Sequence, residues 1–337
     1  MNDQDLNGVV NKYIKENLSP KPEQKNYISQ KYEELQVFLK GSCFQSGSYA
    51  RFTAHNPVHD LDVIHPVADR SLQDNPSVVI DGLYAALEEG YSNSTITKVK
   101  RIYRQSHSVT VEFADTQGDF SIDVVPAIEL LDDLNEFNQP LYLVPEILRL
   151  NKYNRNRRYE EETDNPIGWI KSDPRGYIRA ALDMNVANSD FRHTAKLLKS
   201  WSHNCKVVYG DSFCLKSFHF EQIIYEHFTS NSGTLTKDAT VDCLGAVAGC
   251  LSQPQLPDRA DANRYIDEYI NDLTQEQRQV ILSKQAEAYE IIRKLPGCEN
   301  EQEIINCLEK LLLVRKQTSP DFIPATHAVT PRQPWSY

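Results

Sequence analysis

His59-Asp60-Leu61-Asp62-Val63-Ile64-His65-Pro66 is the stretch on which the reading of this chain turns. Residues two apart on a strand project to one face, so Asp60 and Asp62 converge while Leu61 and Val63 turn the other way. Two converging carboxylates repel each other, and a pair of divalent cations resolves that conflict. An Asp-x-Asp alone is a weak signal that recurs on surface loops, and its weight here comes from its surroundings. Upstream, Gly47-Ser48 opens a tight turn into a short helical segment. Glycine lets a backbone approach a ligand closely, and a serine amide and hydroxyl at a helix start offer donors to phosphate oxygens. Downstream, Phe120-Ser121-Ile122-Asp123-Val124-Val125-Pro126 reads as a strand with Phe120, Ile122 and Val124 on one face and Asp123 on the other. A carboxylate in so apolar a strand is costly without a partner such as a metal; its bland alternative is an acid on a strand edge facing water.

Working outward, residues 5–17 and 22–40 read as helices, the second opened by Pro22, carrying Tyr32, Leu35, Phe38 and Leu39 at helical spacing, and ended by Gly41. A helix at about 76–89 presents Val79, Leu83, Ala86 and Leu87 as one apolar face. Lys98–Arg104 and Ser108–Phe113 alternate as two strands about a turn at Gln105-Ser106-His107. Strands thus crowd residues 44–126. From 174 onward helical periodicity takes over, with runs near 174–205, 216–229, 240–251, 259–271, 274–294 and 301–316. The pattern predicts an α+β chain, a mixed sheet with helices followed by a helical lobe. The expected division is 1–165 for the N-terminal helices and catalytic core, 166–318 for the helical lobe, and 319–337 for a flexible, proline-bearing tail.

Composition excludes several classes. The 337 residues carry a formal charge of −11, which argues against a protein that coats nucleic acid by general electrostatics. Lys98, Lys100, Arg101 and Arg104 form one basic cluster, and Lys152, Arg155, Arg157 and Arg158 another that runs into Glu160-Glu161-Glu162; a solvated strand edge or loop accounts for each. The apolar runs are too short to span a bilayer, and Met1-Asn2-Asp3-Gln4-Asp5 lacks the basic, then apolar, character of a secretory signal. A cytoplasmic protein is expected. Its seven cysteines contain no C-x-x-C pair, and the grouping His203, Cys205, Cys214 and His219 fits no standard zinc spacing.

Taken together, Gly47-Ser48, Asp60-Leu61-Asp62 and Asp123 resemble the G-S … D-x-D … D signature of polymerase-β-type nucleotidyltransferases. The segment Arg192–Lys206 is similar to the part of 2′-5′ oligoadenylate synthetases where a helical lysine, here Lys199, precedes a tryptophan, Trp201, and a Cys-Lys pair, Cys205-Lys206. Ser217, in Leu215-Lys216-Ser217-Phe218-His219-Phe220-Glu221, matches the polar residue that opens the next helix there. Trp169-Ile170-Lys171-Ser172-Asp173-Pro174 and Leu256-Pro257-Asp258-Arg259 resemble segments of the bacterial cGAS/DncV-like nucleotidyltransferases (CD-NTases) of antiphage signalling. The zinc-ribbon insertion of animal cyclic GMP–AMP synthase has no counterpart.

The resemblance implies a polymerase-β-like core with an oligoadenylate-synthetase-like helical lobe. It implies two Mg2+ ions, replaceable by Mn2+, held by the catalytic residues Asp60, Asp62 and Asp123, the last on the ion nearer the attacking hydroxyl. Gly47, Ser48, Lys199 and Ser217 would cradle the β- and γ-phosphates, with Lys196 a helical turn before Lys199. Arg51 and Thr53 would brace the turn. The implied activity is synthesis of a short, cyclic oligonucleotide from NTPs, ATP among them, as a CBASS-type second messenger for a separate effector protein. Neither a membrane nor a long nucleic acid is an expected partner. Two rivals stand beside it. A single-transfer nucleotidyltransferase modifying tRNA or a protein shares the chemistry, and the Lys199 segment speaks against it. A retired nucleotide-binding protein is opposed by the persistence of all three acids.

Overall fold

The computed structural model describes residues 1–41, 43–67, 76–114, 120–147 and 167–314. The basic cluster at 152–158 and the tail from 319 lie outside the described residues. The strands are β1 (Phe44–Gln45), β2 (Asp60–Pro66), β3 (Val99–Arg104), β4 (Val109–Phe113), β5 (Ser121–Leu134), β6 (Pro140–Ile147) and β7 (Ile167–Ser172). They form a mixed seven-stranded sheet of order β1-β2-β5-β4-β3, with β6 joining β5 to β7. β2 and β5 run parallel over residues 60–66 and 121–127, and the far half of β5 then pairs antiparallel with β6.

By its contacts the described chain divides into two compact units. The sheet unit takes residues 17–192 and 257–265, and the helical unit takes 1–16, 193–256 and the chain from 266 onward. The division is interleaved along the chain, where the sequence suggested one cut between 165 and 166.

In the sheet unit, one face is closed by two helices. Ile28 and Leu35 of the Pro22–Phe38 helix and Ile80, Leu83 and Leu87 of the Pro76–Ser92 helix pack on Leu61, Val63, Val109, Val111, Ile122 and Val124. All six strand residues have no exposed surface. Burying an aliphatic side chain of this size is worth about 1.5–3 kcal/mol. Register is therefore fixed by the core, because a one-residue slip would drive these residues to the opposite face. That opposite face carries the acids. Beyond them a second cluster of Ile64, Val125, Ala127, Tyr142 and Val144 closes it, with Phe44 and Ile170 packed against it.

In the helical unit, the Asp3–Tyr13 helix packs with the C-terminal helices. Lys12 pairs with Glu301 at 2.9 Å, and Thr236 donates to the Asn11 amide oxygen at 2.7 Å. Trp201 is buried between Phe213 and Phe220. The Gln275–Ile292 helix starts on a reciprocal capping box between Thr274 and Gln277. No helix of the described residues is long and apolar enough to cross a membrane.

Three elements differ from the sequence expectation. The run at 174–205 is two helices, Pro174–Ala187 and Asp190–Tyr209, parted at Asn188, whose side chain accepts from the Asp190 amide. The helix expected at 259–271 forms only a 3-10 turn at Glu268–Asp272. There Asp258 accepts from the Ala260 amide and Asp261 from the Asn263 amide, local bonds that compete with helix formation. Residues 167–172, assigned to the lobe from 166 but given no element by the sequence, form β7, paired with β6.

Candidate active site

The parallel register of β2 and β5 sets Asp62 directly beside Asp123, with Asp60 beside Ser121. Because Leu61, Val63, Ile122 and Val124 all point into the core, the three carboxylates stand on the other face of adjacent strands. On the far side of β5, Thr110 of β4 is the partner of Asp123. A row Asp62, Asp123, Thr110 thus crosses three strands.

Asp123 is tied down from the β4 side. The Thr110 hydroxyl donates to its Oδ1 at 2.5 Å, and the Gln105 amide Nε2 donates to the same oxygen at 3.3 Å. Gln105 also donates to the Thr110 hydroxyl oxygen. Enclosure of the Asp123 carboxyl is the largest influence on its ionisation, pushing its pKa up to about 8; the Thr110 hydrogen bond opposes this, and the charges of Asp62, Asp60 and Glu112 reinforce it. As a residue Asp123 keeps some surface, and it is the carboxyl head that is enclosed.

Gly47 explains itself by contact. It begins the Gly47–Ala50 helix with φ +63°, and a Cβ built there would lie 1.6 Å from Asp62 Oδ2. Only glycine fits both the left-handed backbone and the carboxylate behind it. The preceding residue is bound to the same strand, since the Ser46 amide donates to the Asp62 carbonyl at 2.8 Å. The amides of Thr53 and Ala54 both donate to the Ser48 carbonyl at 3.0 Å, so residues 53–54 brace the turn.

The remaining candidates belong to the helical unit. Lys199 is buried and paired with Glu221 at 2.7 Å, Glu221 being 1% exposed. Ser217 is the first residue of the Ser217–Ser230 helix, and Lys196 is half-buried on the Asp190–Tyr209 helix. Among the described residues no group of three or more His, Cys, Asp or Glu side chains stands gathered in metal-holding geometry. Among His203, Cys205, Cys214 and His219, the thiol of Cys214 donates to the Asp211 carbonyl at 2.9 Å and His219 bonds the Tyr269 hydroxyl at 2.9 Å. For the three acids, the Asp123 carboxylate is drawn toward Thr110 and Gln105 rather than toward its fellows. The site still fits hard divalent cations. Its donors are carboxylate oxygens, the glycine at 47 leaves room that a Cβ would fill against Asp62, and a cation would offset both the burial that chiefly raises Asp123 and the lesser repulsion from Asp62 and Asp60.

Thr110 and Gln105 escaped the sequence reading. Gln105 looked like part of a turn, yet residues 105–108 are all buried. The available signal was Thr110 between Val109 and Val111, a polar residue in an apolar strand just as Asp123 is in its own.

Residues 9–140, a span that holds Gly47, Ser48 and all three acids, match the family model described as the Second Messenger Oligonucleotide or Dinucleotide Synthetase domain. No curated protein matches the chain by sequence. Among solved structures, CdnC of E. coli MS115-1, determined with HORMA-deltaN and with ATP, superposes at a TM-score of 0.66 with 15% identity. In its HORMA-deltaN complex the match covers 91% of this chain and 96% of that one. The Bradyrhizobium diazoefficiens CD-NTase CdnG in complex with GTP matches at a TM-score of 0.62 and 13% identity, over 92% of this chain and 98% of that one. Vibrio cholerae DncV cyclic AMP-GMP synthase, a prokaryotic cGAS homolog, matches at 0.55 and 13% identity over 80% and 68%. The fold is that of the cGAS/DncV-like nucleotidyltransferases. The likeness read from the motifs is borne out to this extent: residues 9–140 match a second-messenger synthetase domain, and the fold is shared with these solved nucleotidyltransferases.

Proposed function

We propose that this protein joins nucleoside triphosphates, ATP among them, into a short cyclic oligonucleotide, and that this product acts on a separate effector in CBASS-type antiphage signalling in the cytoplasm. The observation that carries this reading is the in-register placement of Asp60, Asp62 and Asp123 on one sheet face, with Gly47 backed against Asp62, inside the span that matches the synthetase domain.

The chemistry is a hydroxyl of one nucleotide attacking the α-phosphate of another. An O–P bond forms, the bond to the β-phosphate breaks, and pyrophosphate leaves while the hydroxyl loses its proton. A second, intramolecular attack closes the ring. Asp60, Asp62 and Asp123 would hold two Mg2+ ions, which when bound lower the hydroxyl's pKa and neutralise charge on the departing pyrophosphate. The Gly47-Ser48 turn would offer backbone and hydroxyl donors to phosphate oxygens. Lys199, Ser217 and Lys196 are proposed phosphate contacts on the strength of the sequence likeness. The solved relatives support NTP substrates, since CdnC was determined with ATP and CdnG with GTP. DncV was determined with the linear intermediate 5′ pppA(3′,5′)pG, which fits the two-step order.

The test is incubation with all four NTPs and Mg2+ or Mn2+, followed by alkaline phosphatase and mass spectrometry. A phosphatase-resistant product of two or three nucleotides is expected. Complete conversion of the products to nucleosides by phosphatase would sink the cyclic product, and nucleotide appearing only on added tRNA or protein would establish the single-transfer reading instead.

A further inference from the structure

We infer that Thr110 and Gln105 are positioning residues for the third carboxylate, turning Asp123 so that one of its oxygens is held by the protein and the other is presented for a divalent cation. This rests on the metal-dependent reading above.

Both donors meet the same atom. Thr110 Oγ1 stands 2.5 Å and Gln105 Nε2 3.3 Å from Asp123 Oδ1, leaving Oδ2 as the oxygen this pair does not engage. The arrangement has little freedom to rearrange. Thr110 is 1% exposed and β-branched, so its χ1 is stiff, and its strand register opposite Asp123 is locked by Val109 and Val111 in the core. Gln105 is buried too, its amide backing the Thr110 hydroxyl oxygen and so leaving the hydroxyl proton to point at Asp123. Its own backbone is fixed by the Gln105 amide donating to the Ser108 carbonyl at 2.7 Å. The donors therefore form a closed triangle with the carboxylate. A bare pair of acids on a sheet face would splay by repulsion, and a carboxylate clamped through one oxygen keeps a defined direction for the other. Groups that orient metal ligands in this way are typically worth about 10–100-fold in metal affinity.

The experiment measures Mn2+ binding by calorimetry, without nucleotide, on the full chain and on Thr110→Val, Thr110→Ser, Gln105→Leu and Asp123→Asn. Thermal melts report whether each is folded. Thr110→Val is expected to lose about 10–100-fold in Mn2+ affinity, Thr110→Ser to stay within about threefold of wild type, and Gln105→Leu to fall between. Equal affinity in Thr110→Val and wild type, with Asp123→Asn impaired, would overturn the positioning role and leave the metal reading intact. Equal losses in Thr110→Ser and Thr110→Val would also overturn it, because retaining the hydroxyl would then preserve nothing and general disruption of the packing would account for both. Should Thr110→Val not fold, unchanged affinity in Gln105→Leu overturns the clamp. Unchanged affinity in Asp123→Asn would reject Asp123 as a ligand, a separate failure.

Discussion

At the scale of single residues, the site depends on side chains that would be unfavourable elsewhere. Asp123 is an acid whose enclosure and acidic neighbours hold its pKa at about 8 in the metal-free protein, against 3.8 ordinarily. A carboxyl raised in the folded state stays protonated while the unfolded chain ionises. Stability is thus fully present below the unfolded value of 3.8 and is lost as pH climbs through about 8. Asp123→Asn removes the titration, so in EDTA its melting temperature should gain on wild type progressively from pH 4 to pH 8. A gap that stays flat or shrinks over that range would contradict the account. Gly47 supplies a second case. Gly47→Ala adds about 1–2 kcal/mol of left-handed backbone strain and forces a methyl onto the Asp62 carboxylate. Turnover should fall at least about 10-fold, in line with disturbed metal ligation, while circular dichroism stays native; full activity would show that the contact is dispensable. Strand periodicity alone put Asp60 and Asp62 on one face, while Asp123 and Gly47-Ser48 were joined to them by the family resemblance, and the β2–β5 register sets Asp123 beside Asp62. Thr110 and Gln105 were not, since their role arises from the register of β4 on β5, a long-range pairing that the local pattern does not encode.

At the scale of elements, the Lys199–Glu221 pair links the Asp190–Tyr209 helix to the Ser217–Ser230 helix. Removing one partner of a buried pair leaves an uncompensated charge, at a cost of about 3–5 kcal/mol. Lys199→Met should therefore lower the urea midpoint strongly, and Lys199→Met with Glu221→Leu should recover most of it. If the double variant were no more stable than the single, the pair would not be what holds these helices. The double variant also separates fold from function, because a restored fold with impaired NTP use supports a phosphate role for Lys199 itself. Strongly periodic elements were legible. The Pro22–Phe38, Pro76–Ser92 and Gln275–Ile292 helices stand within a few residues of expectation. β6 was missed because Pro140 and Pro145 interrupt its apolar run, and β7 because a glycine and a lysine blur its alternation. Both belong to the part of the sheet that builds on the far half of β5, where prolines and weak alternation are tolerated.

At the scale of the whole molecule, the sequence motifs and the fold converge. The mixed sheet with helices and the helical C-terminal part match solved CD-NTases over nine-tenths of the chain at only 15% identity. At so low an identity the likeness is one of fold alone, which is why the product is a proposal. The formal charge of −11 argues against a long polyanion held along the surface by general electrostatics. The most direct measurement is pyrophosphate release from the four NTPs with Mn2+, comparing wild type with folded Asp60→Asn, Asp62→Asn and Asp123→Asn. Release by wild type and its loss by at least about 100-fold in every variant, the scale expected when groups made for the transition state are removed, is the result this account requires. Near-wild-type release from any folded variant would contradict it, because three carboxylates on one face would then not be the catalytic set.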